Sequence, residues 1–322
     1  MNENNADKAA GDDLQMEVEA LRGRIEQYER GWPPGHFYSP IPSLNEIAVN
    51  EQRIFPEKLP DSLPSIPLQG RHQLRVLEEI ESAYLKQPFA ATAVNGRRYF
   101  FENDYYPYGE AIALFGIMRA AKPRRIIEIG GGFSTAAMLD INDHFFNGHI
   151  DFKIVEPYPD RLLELLSEKD LAQIDLRQSP VQNLETSEFS ALEKGDILFI
   201  DSSHVSKTDS DVNHLIFRIL PALQEGVLVH FHDIFYPFEY PLAWIYESRA
   251  WNECYLLRAF LQYNDAFRLH FFNSFMAHRH AARIANTMPL FAQNPGSSLW
   301  IEKLPASGWA RAWQRLAERL LR

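Results

Sequence analysis

RRIIEIGGGFSTAAMLDI, residues 124–141, decides the fold of this chain. Ile126, Ile127 and Ile129 are β-branched and read as a buried strand. Gly130, Gly131 and Gly132 follow, and STAAMLDI then reads as a helix. A strand that turns through glycine into a helix opens a βαβ unit. Glycine permits positive φ at such a turn and lets backbone approach a ligand closely. The helix starting near Ser134 offers N–H groups that lack intrahelical partners. A tight loop with no ligand would carry the same glycines, so the turn alone does not decide function.

The alternation continues along the chain. Strands are expected at 151–157 (DFKIVEP), 172–178 (AQIDLRQ), 196–202 (DILFIDS) and 225–233 (EGVLVHFHD). DRLLELLSEK and VNHLIFRILPAL read as helices between them. Strands alternating with helices imply right-handed crossovers and a mostly parallel, doubly wound α/β sheet. FRLHFFN (267–273) and SSLWIEK (297–303) add two strands with no ordinary crossover helix between them, so an antiparallel last strand is expected. Upstream, Leu74, Leu77, Ile80 and Tyr84 mark one helix, and Ala113, Leu114, Ile117 and Met118 another.

The ends of the chain differ in character. Residues 1–13 are polar and read as disordered. Leu14, Val18, Leu21, Ile25 and Tyr28 form a short heptad seam, which suits either a homo-oligomer contact through residues 14–28 or packing within the chain. Gly31 to Gly70 holds eight prolines and reads as an ordered arm, not a sheet interior. The expected domains are 1–30 (polar start and heptad helix), 31–104 (proline-rich arm and helical extension), 105–305 (cofactor-binding catalytic domain) and 306–322 (amphipathic helix).

Two carboxylates add to the glycine turn. Glu128 lies inside the first strand, and Glu156 ends the next one, where an acid can accept both hydroxyls of a ribose. Glu128-x-Gly130-x-Gly132-x-Ser134, with Glu156, resembles the first motifs of the class I S-adenosylmethionine-dependent methyltransferases. The resemblance covers about residues 105–303 and implies a seven-stranded Rossmann-like sheet. It also implies that Gly130, Gly132 and Ser134 face the methionine part of S-adenosylmethionine and that Glu156 holds its ribose. Val181 and Gln182, in RQSPVQNL, fall where the family contacts adenine. A dinucleotide-binding domain would show a third glycine as G-x-G-x-x-G, which GGGFST lacks.

In an open parallel sheet, ligands bind beyond the carboxyl ends of the strands. There the fourth strand ends in Asp201-Ser-Ser-His204 and the fifth in His230-Phe-His232-Asp233. Two carboxylates brought together repel unless a cation lies between them. His230, deeper in its strand, reads as a core group. The pattern resembles the metal-dependent O-methyltransferases of sugars and macrolides. That likeness implies Asp201 and Asp233 as ligands of a divalent metal (Mg or Mn) and His204 as the catalytic base. A histidine, His232, stands where those relatives have an acid. This leaves open both the metal's identity and whether His232 binds it.

The implied activity is transfer of a methyl group to a hydroxyl of a sugar, a glycan or another small molecule. The alternatives are a catalytically retired cofactor-binding or scaffold protein acting through its N-terminal helix, or a different reaction on the same fold. Tyr236, Tyr240, Trp244 and the run FMAHRHAAR (275–283) are candidates to contact the acceptor. The net charge of −11 argues against a nucleic-acid partner. No apolar run approaches the ~20 residues that span a bilayer. A lone cysteine, Cys254, and a first stretch without an apolar signal core point to the cytoplasm.

Overall fold

The computed structural model describes residues 15–23, 25–26 and 31–305. These fall into two compact units. The first takes the described residues up to Leu59 with Pro241–Ala250; the second takes Pro60–Tyr240 and runs on from Trp251. The expected boundary at residue 105 is therefore corrected: 60–104 belongs with the sheet. The expected disorder of 1–13 and the C-terminal helix at 306–322 lie outside the described residues, as do Leu14 and Tyr28 of the seam.

In the first unit, residues 15–23 and 25–26 are helical and exposed. Val18, Leu21 and Ile25 are among its exposed apolar residues. Helix α1 (Leu44–Ile54) starts at Ser43, whose hydroxyl accepts the Glu46 N–H. That bond satisfies one of the donors a helix start leaves free.

The second unit is built on a seven-stranded sheet. The strands are β1 (Arg125–Ile129), β2 (Asp151–Val155), β3 (Ile174–Arg177), β4 (Ile197–Ile200), β5 (Leu228–Phe231), β6 (Phe267–Phe272) and β7 (Leu299–Lys303). Their order is β3-β2-β1-β4-β5-β7-β6. β7 alone runs antiparallel, between β5 and β6, so the antiparallel strand lies one place in from the edge. All four residues of β4 and of β5 are buried, as covered parallel strands require. Fully burying such side chains stabilises by about 1.5–3 kcal/mol each.

Three long helices pack around the sheet: α2 (Gly70–Tyr84), α3 (Tyr108–Ala121) and α4 (Phe133–Phe145). α2 lies against both α3 and β6, with Leu77 and Ile80 wholly buried. This contact is why 60–104 joins the sheet. The expected helix over DRLLELLSEK is broken after Leu165. Ser167 and Asp170 cap a new short helix: the Ser167 hydroxyl accepts the Asp170 N–H while Asp170 accepts the Ser167 N–H. This reciprocal pairing makes a restart cheaper than continuing. Among the described residues, no helix is long and apolar enough to cross a membrane.

Candidate active site

The order of the sheet sets β1 between β2 and β4, with β5 beyond β4. Ladder bonds continue past the strands themselves. The Gly130, Asp201 and His232 N–H groups donate to Val155, Ile129 and Ile200 carbonyls at 3.0, 2.8 and 2.9 Å. The glycine turn and the two polar strand ends are thus held in one register.

Gly130 adopts φ +85°, and a Cβ there would collide with the Asp201 carbonyl oxygen. Only glycine satisfies both demands. A Cβ on Gly131 would lie 2.8 Å from Ile154. Gly132, by contrast, has extended φ, and a Cβ would meet only Arg161 Cδ at 3.8 Å. The glycines the fold itself requires are therefore Gly130 and Gly131, and the space in front of Gly132 is open.

Glu128 faces no opening. It is wholly buried, and its two oxygens accept the Ser134 and Thr135 hydroxyls, each at 2.5 Å. Burial pushes its carboxyl up to about 8, although both hydroxyls work against this. The Glu128 and Ser134 side chains bind each other and pin the start of α4. Glu156 is half-buried and accepts the Gly131 N–H at 3.2 Å and the Tyr158 N–H at 2.7 Å. Burial raises its pKa, partly offset by these two donors. Val181 is buried in a 3₁₀ turn at 181–183, and Gln182 donates to the Asp209 carbonyl at 2.7 Å. Over the turn, Arg161 lies 3.9 Å from the Tyr105 ring centre, and Tyr105 stacks on Phe133. This stack had no periodic signal in the sequence.

Asp201, His204, His232 and Asp233 come together at the ends of β4 and β5. His204 Nε2 lies 3.3 Å from Asp201 Oδ1 and 3.7 Å from Asp233 Oδ2. His232 Nε2 lies 3.5 Å from Asp233 Oδ1. The His204 ring thus lies between the two aspartates. His204 and Asp233 both have positive φ, +59° and +56°. For residues with a Cβ this costs of order 1–3 kcal/mol each.

Two buried carboxylates stand behind the histidines. Glu253, at the start of α5 (Glu253–Leu261), approaches His204 Nδ1 at 2.9 Å and accepts the Ser202 hydroxyl. Glu110, in α3, faces His232 Nδ1 at 3.2 Å and accepts the Ser297 N–H and the Ser298 hydroxyl. Neither acid was singled out from sequence. Glu110 left one readable signal: it is the lone acid in a mostly apolar helix, YGEAIALFGIMRAA. Burial opposes charge on His204, yet Asp201 and Glu253 raise its pKa to about 10. His232 is likewise raised, against burial, by Asp233, Glu110 and Asp201. Asp201 is lowered, against its own desolvation, by His232 and His204.

His230 is wholly buried, stacked on Phe199, with Nε2 2.9 Å from the Ser298 hydroxyl. That matches its reading as a core group. Glu110, His230 and His232 also present donor atoms within 4.8 Å of one another, but the Ser298 hydroxyl already links Glu110 to His230. His72, His270 and Glu302 form a second such group at the β6 edge, where Arg268 occupies Glu302 Oε2. Tyr236 and Tyr240 are buried; the first donates to the Pro60 carbonyl, and the second accepts the Cys254 N–H at 3.2 Å. Both are held inside the unit by these bonds. Trp244 lies in the first unit. Arg279, in the FMAHRHAAR run, pairs with Asp61 at 2.6 Å.

Residues 127–234 match the family model described as "Methyltransferase domain". An uncharacterized protein of Archaeoglobus fulgidus is 33% identical over 199 residues, which is 59% of this chain and 89% of that protein. Among solved structures, an S-adenosylhomocysteine-bound methyltransferase of Podospora anserina is similar over 83% of this chain and 99% of its own, with 13% identity and a TM-score of 0.40. The O-methyltransferase TomG of Streptomyces achromogenes is similar over 81% and 96%, with 11% identity and a TM-score of 0.40. With a glycine turn on β1, an acid ending β2 and a family match spanning β1 to the end of β5, residues 127–234 form a methyltransferase domain.

Proposed function

We propose that this enzyme methylates a hydroxyl of a sugar, a glycan or another small molecule, with His204 as the base and a divalent ion held by Asp201, His232 and Asp233. One observation carries the reading. Asp201 touches the cofactor turn through its carbonyl at Gly130, while its carboxylate touches His204. Base and methyl donor therefore share one edge of the sheet.

An alcohol is a weak nucleophile near neutral pH, so its oxygen must lose a proton as it attacks. His204 is held by Glu253 on Nδ1, which leaves Nε2 facing the aspartates and the acceptor. Nε2 takes the hydroxyl proton, the oxygen bonds to the methyl carbon, and the sulfonium's carbon–sulfur electron pair returns to sulfur. Orientation of the two reactants supplies much of the remaining acceleration.

Of the three proposed ligands, His232 Nε2 and Asp233 Oδ1 lie 3.5 Å apart, whereas Asp201 Oδ1 and Asp233 Oδ2 each face His204 Nε2, at 3.3 and 3.7 Å, so an ion would have to displace that contact. The cluster also sets four carboxylates against two imidazoles. When bound, the ion would supply acidification of a coordinated hydroxyl. It would also draw Asp201 away from His204 and so bring the imidazole nearer to a neutral base.

Two coarser proposals accompany this one. The exposed Val18, Leu21 and Ile25 support self-association through residues 14–28. The single, buried cysteine supports a cytoplasmic, reducing location. The test is S-adenosylhomocysteine formation over a panel of sugars and catechols, with and without chelator. Acceptor-dependent product that chelator abolishes is the expected result. Cofactor binding with no turnover on any acceptor would instead favour the scaffold reading.

A further inference from the structure

The outer edge of the sheet carries a donor cluster with no part in the proposed methyl transfer. His72 is in the first turn of α2, His270 is on β6, and Glu302 is on β7. Arg268 and Glu302 stand opposite each other in the β6–β7 ladder. Leu269 then pairs with Ile301 and Phe271 with Trp300, so His270 is the extra residue of a bulge. A bulge re-aims a side chain. Here His270 Nδ1 lies 3.2 Å from His72 Nε2 and 3.6 Å from Glu302 Oε2. The donor atoms of all three residues lie within 4.8 Å of one another. Around a tetrahedral Zn²⁺ with bonds of about 2.0–2.1 Å, ligand atoms stand about 3.3–3.4 Å apart. Gln73, next to His72, accepts the Phe272 N–H at 2.8 Å and so fixes α2 over β6. The backbone thus sets both rings in place before any ion arrives.

We infer that His72, His270 and Glu302 bind one divalent transition ion of the Zn²⁺ type, which staples α2 to the edge of the sheet. Two imidazoles and a carboxylate are a donor set suited to Zn²⁺, whereas Mg²⁺ prefers oxygen donors alone. Burial first, then His270 and Arg268, bring His72 down to about 4. Its ring is therefore uncharged near neutral pH, the form that ligates. All three residues are half-buried, so water can fill the ion's remaining position. Two cations oppose the ion. Arg268 donates twice to Glu302 Oε2, at 2.9 and 2.6 Å, and Arg75 adds positive charge near His72. Arg268 is the direct competitor, since ion and guanidinium must share one carboxylate. The ligands come from residues 72, 270 and 302, so the site exists only in the folded chain, and binding stabilises the fold.

The test uses the full chain, stripped with chelator and titrated with Zn²⁺ alone, and needs no turnover. Calorimetry should show a site that His72→Gln and His270→Gln each weaken at least about tenfold. S-adenosylhomocysteine affinity should match wild type in both, which shows that they fold. Arg268→Gln should tighten the site by freeing Glu302 for the ion; equal or weaker affinity there would take Glu302 out of the ligand set. Asp201→Asn removes a ligand of the catalytic ion proposed above and should leave this site intact. In that background Zn²⁺ should still raise the melting temperature, and adding His270→Gln should abolish the rise. Zn²⁺ binding unchanged by both histidine substitutions, or lost in Asp201→Asn alone, would overturn the inference and leave His72 and His270 as a hydrogen-bonded pair.

Discussion

The two halves of the candidate active site are built differently. Around β1 and β2, the site is made of backbone: the Gly130–Gly132 turn, its N–H groups, and one carboxylate, Glu156, laid on them. Around β4 and β5 it is made of side chains: two aspartates and two imidazoles, each imidazole with a buried acid behind it. The first half is satisfied locally, by residues within about thirty positions of one another. The second half is satisfied only by Glu110 and Glu253, which other elements bring in. A backbone site suits binding, since its donors are fixed by the fold. A cluster of charged side chains suits proton transfer, since its members can change state.

The comparison is most sharply tested at His204. His204→Ala should lose roughly 10²–10⁴-fold in rate, the range of a positioned general base, with S-adenosylhomocysteine affinity intact. A comparable loss of cofactor affinity, read by calorimetry, would show that the halves are not separable.

The pH response follows from the same residue. Its folded pKa, about 10, lies above the ordinary 6.5. The stabilisation from charged His204 should be fully present below about pH 6.5, decline as pH rises, and vanish above about pH 10. Denaturant titrations of wild type and His204→Gln should converge across that window. A constant difference between them would mean that the imidazole is not held charged. Without added ion, the rising limb of the rate profile should be displaced to the alkaline side of ordinary imidazole; the ion should bring it back.

On the backbone side, Glu156→Ala should weaken cofactor binding by at least about tenfold, since each charge-assisted hydrogen bond is worth ~1.5–3 kcal/mol. Equal affinities in the folded variant and wild type would take Glu156 off the ribose. Gly130→Ala and Gly132→Ala should separate fold from ligand. The first should lose at least about 1–3 kcal/mol of stability through its φ alone, and more through the collision with Asp201. The second should melt like wild type, so any fall in its affinity would come from the cofactor's own approach. The smallest effect is expected from deleting residues 1–30: a lower mass by light scattering, with cofactor binding unchanged. An unchanged mass would leave residues 14–28 without a part in assembly.

The acceptor side shows how far chain order carries. Asp201 and His204 share one loop, and His232 and Asp233 are adjacent, so each pair was visible as a pair. That the ring of His204 lies between the two aspartates was not visible. It depends on two left-handed backbone conformations, at His204 and Asp233, that no residue type there announces. Glu128 finds its partners close by in the chain. The helix start six and seven residues on supplies both hydroxyls that its oxygens accept.

The sequence by itself determined the alternation of strands and helices, the glycine turn, and the acid that ends β2. All three follow from periodicity or from backbone demands that single residues meet. Tertiary structure decided the rest. The break in the 160–171 helix depends on capping that competes with continuation. The unit boundary depends on α2 finding β6. Glu110 and Glu253 lie far along the chain from the histidines they face, and only the sheet order brings them within 3.2 and 2.9 Å. A buried carboxylate needs a partner wherever the fold supplies one, and no spacing in the sequence records which partner that will be.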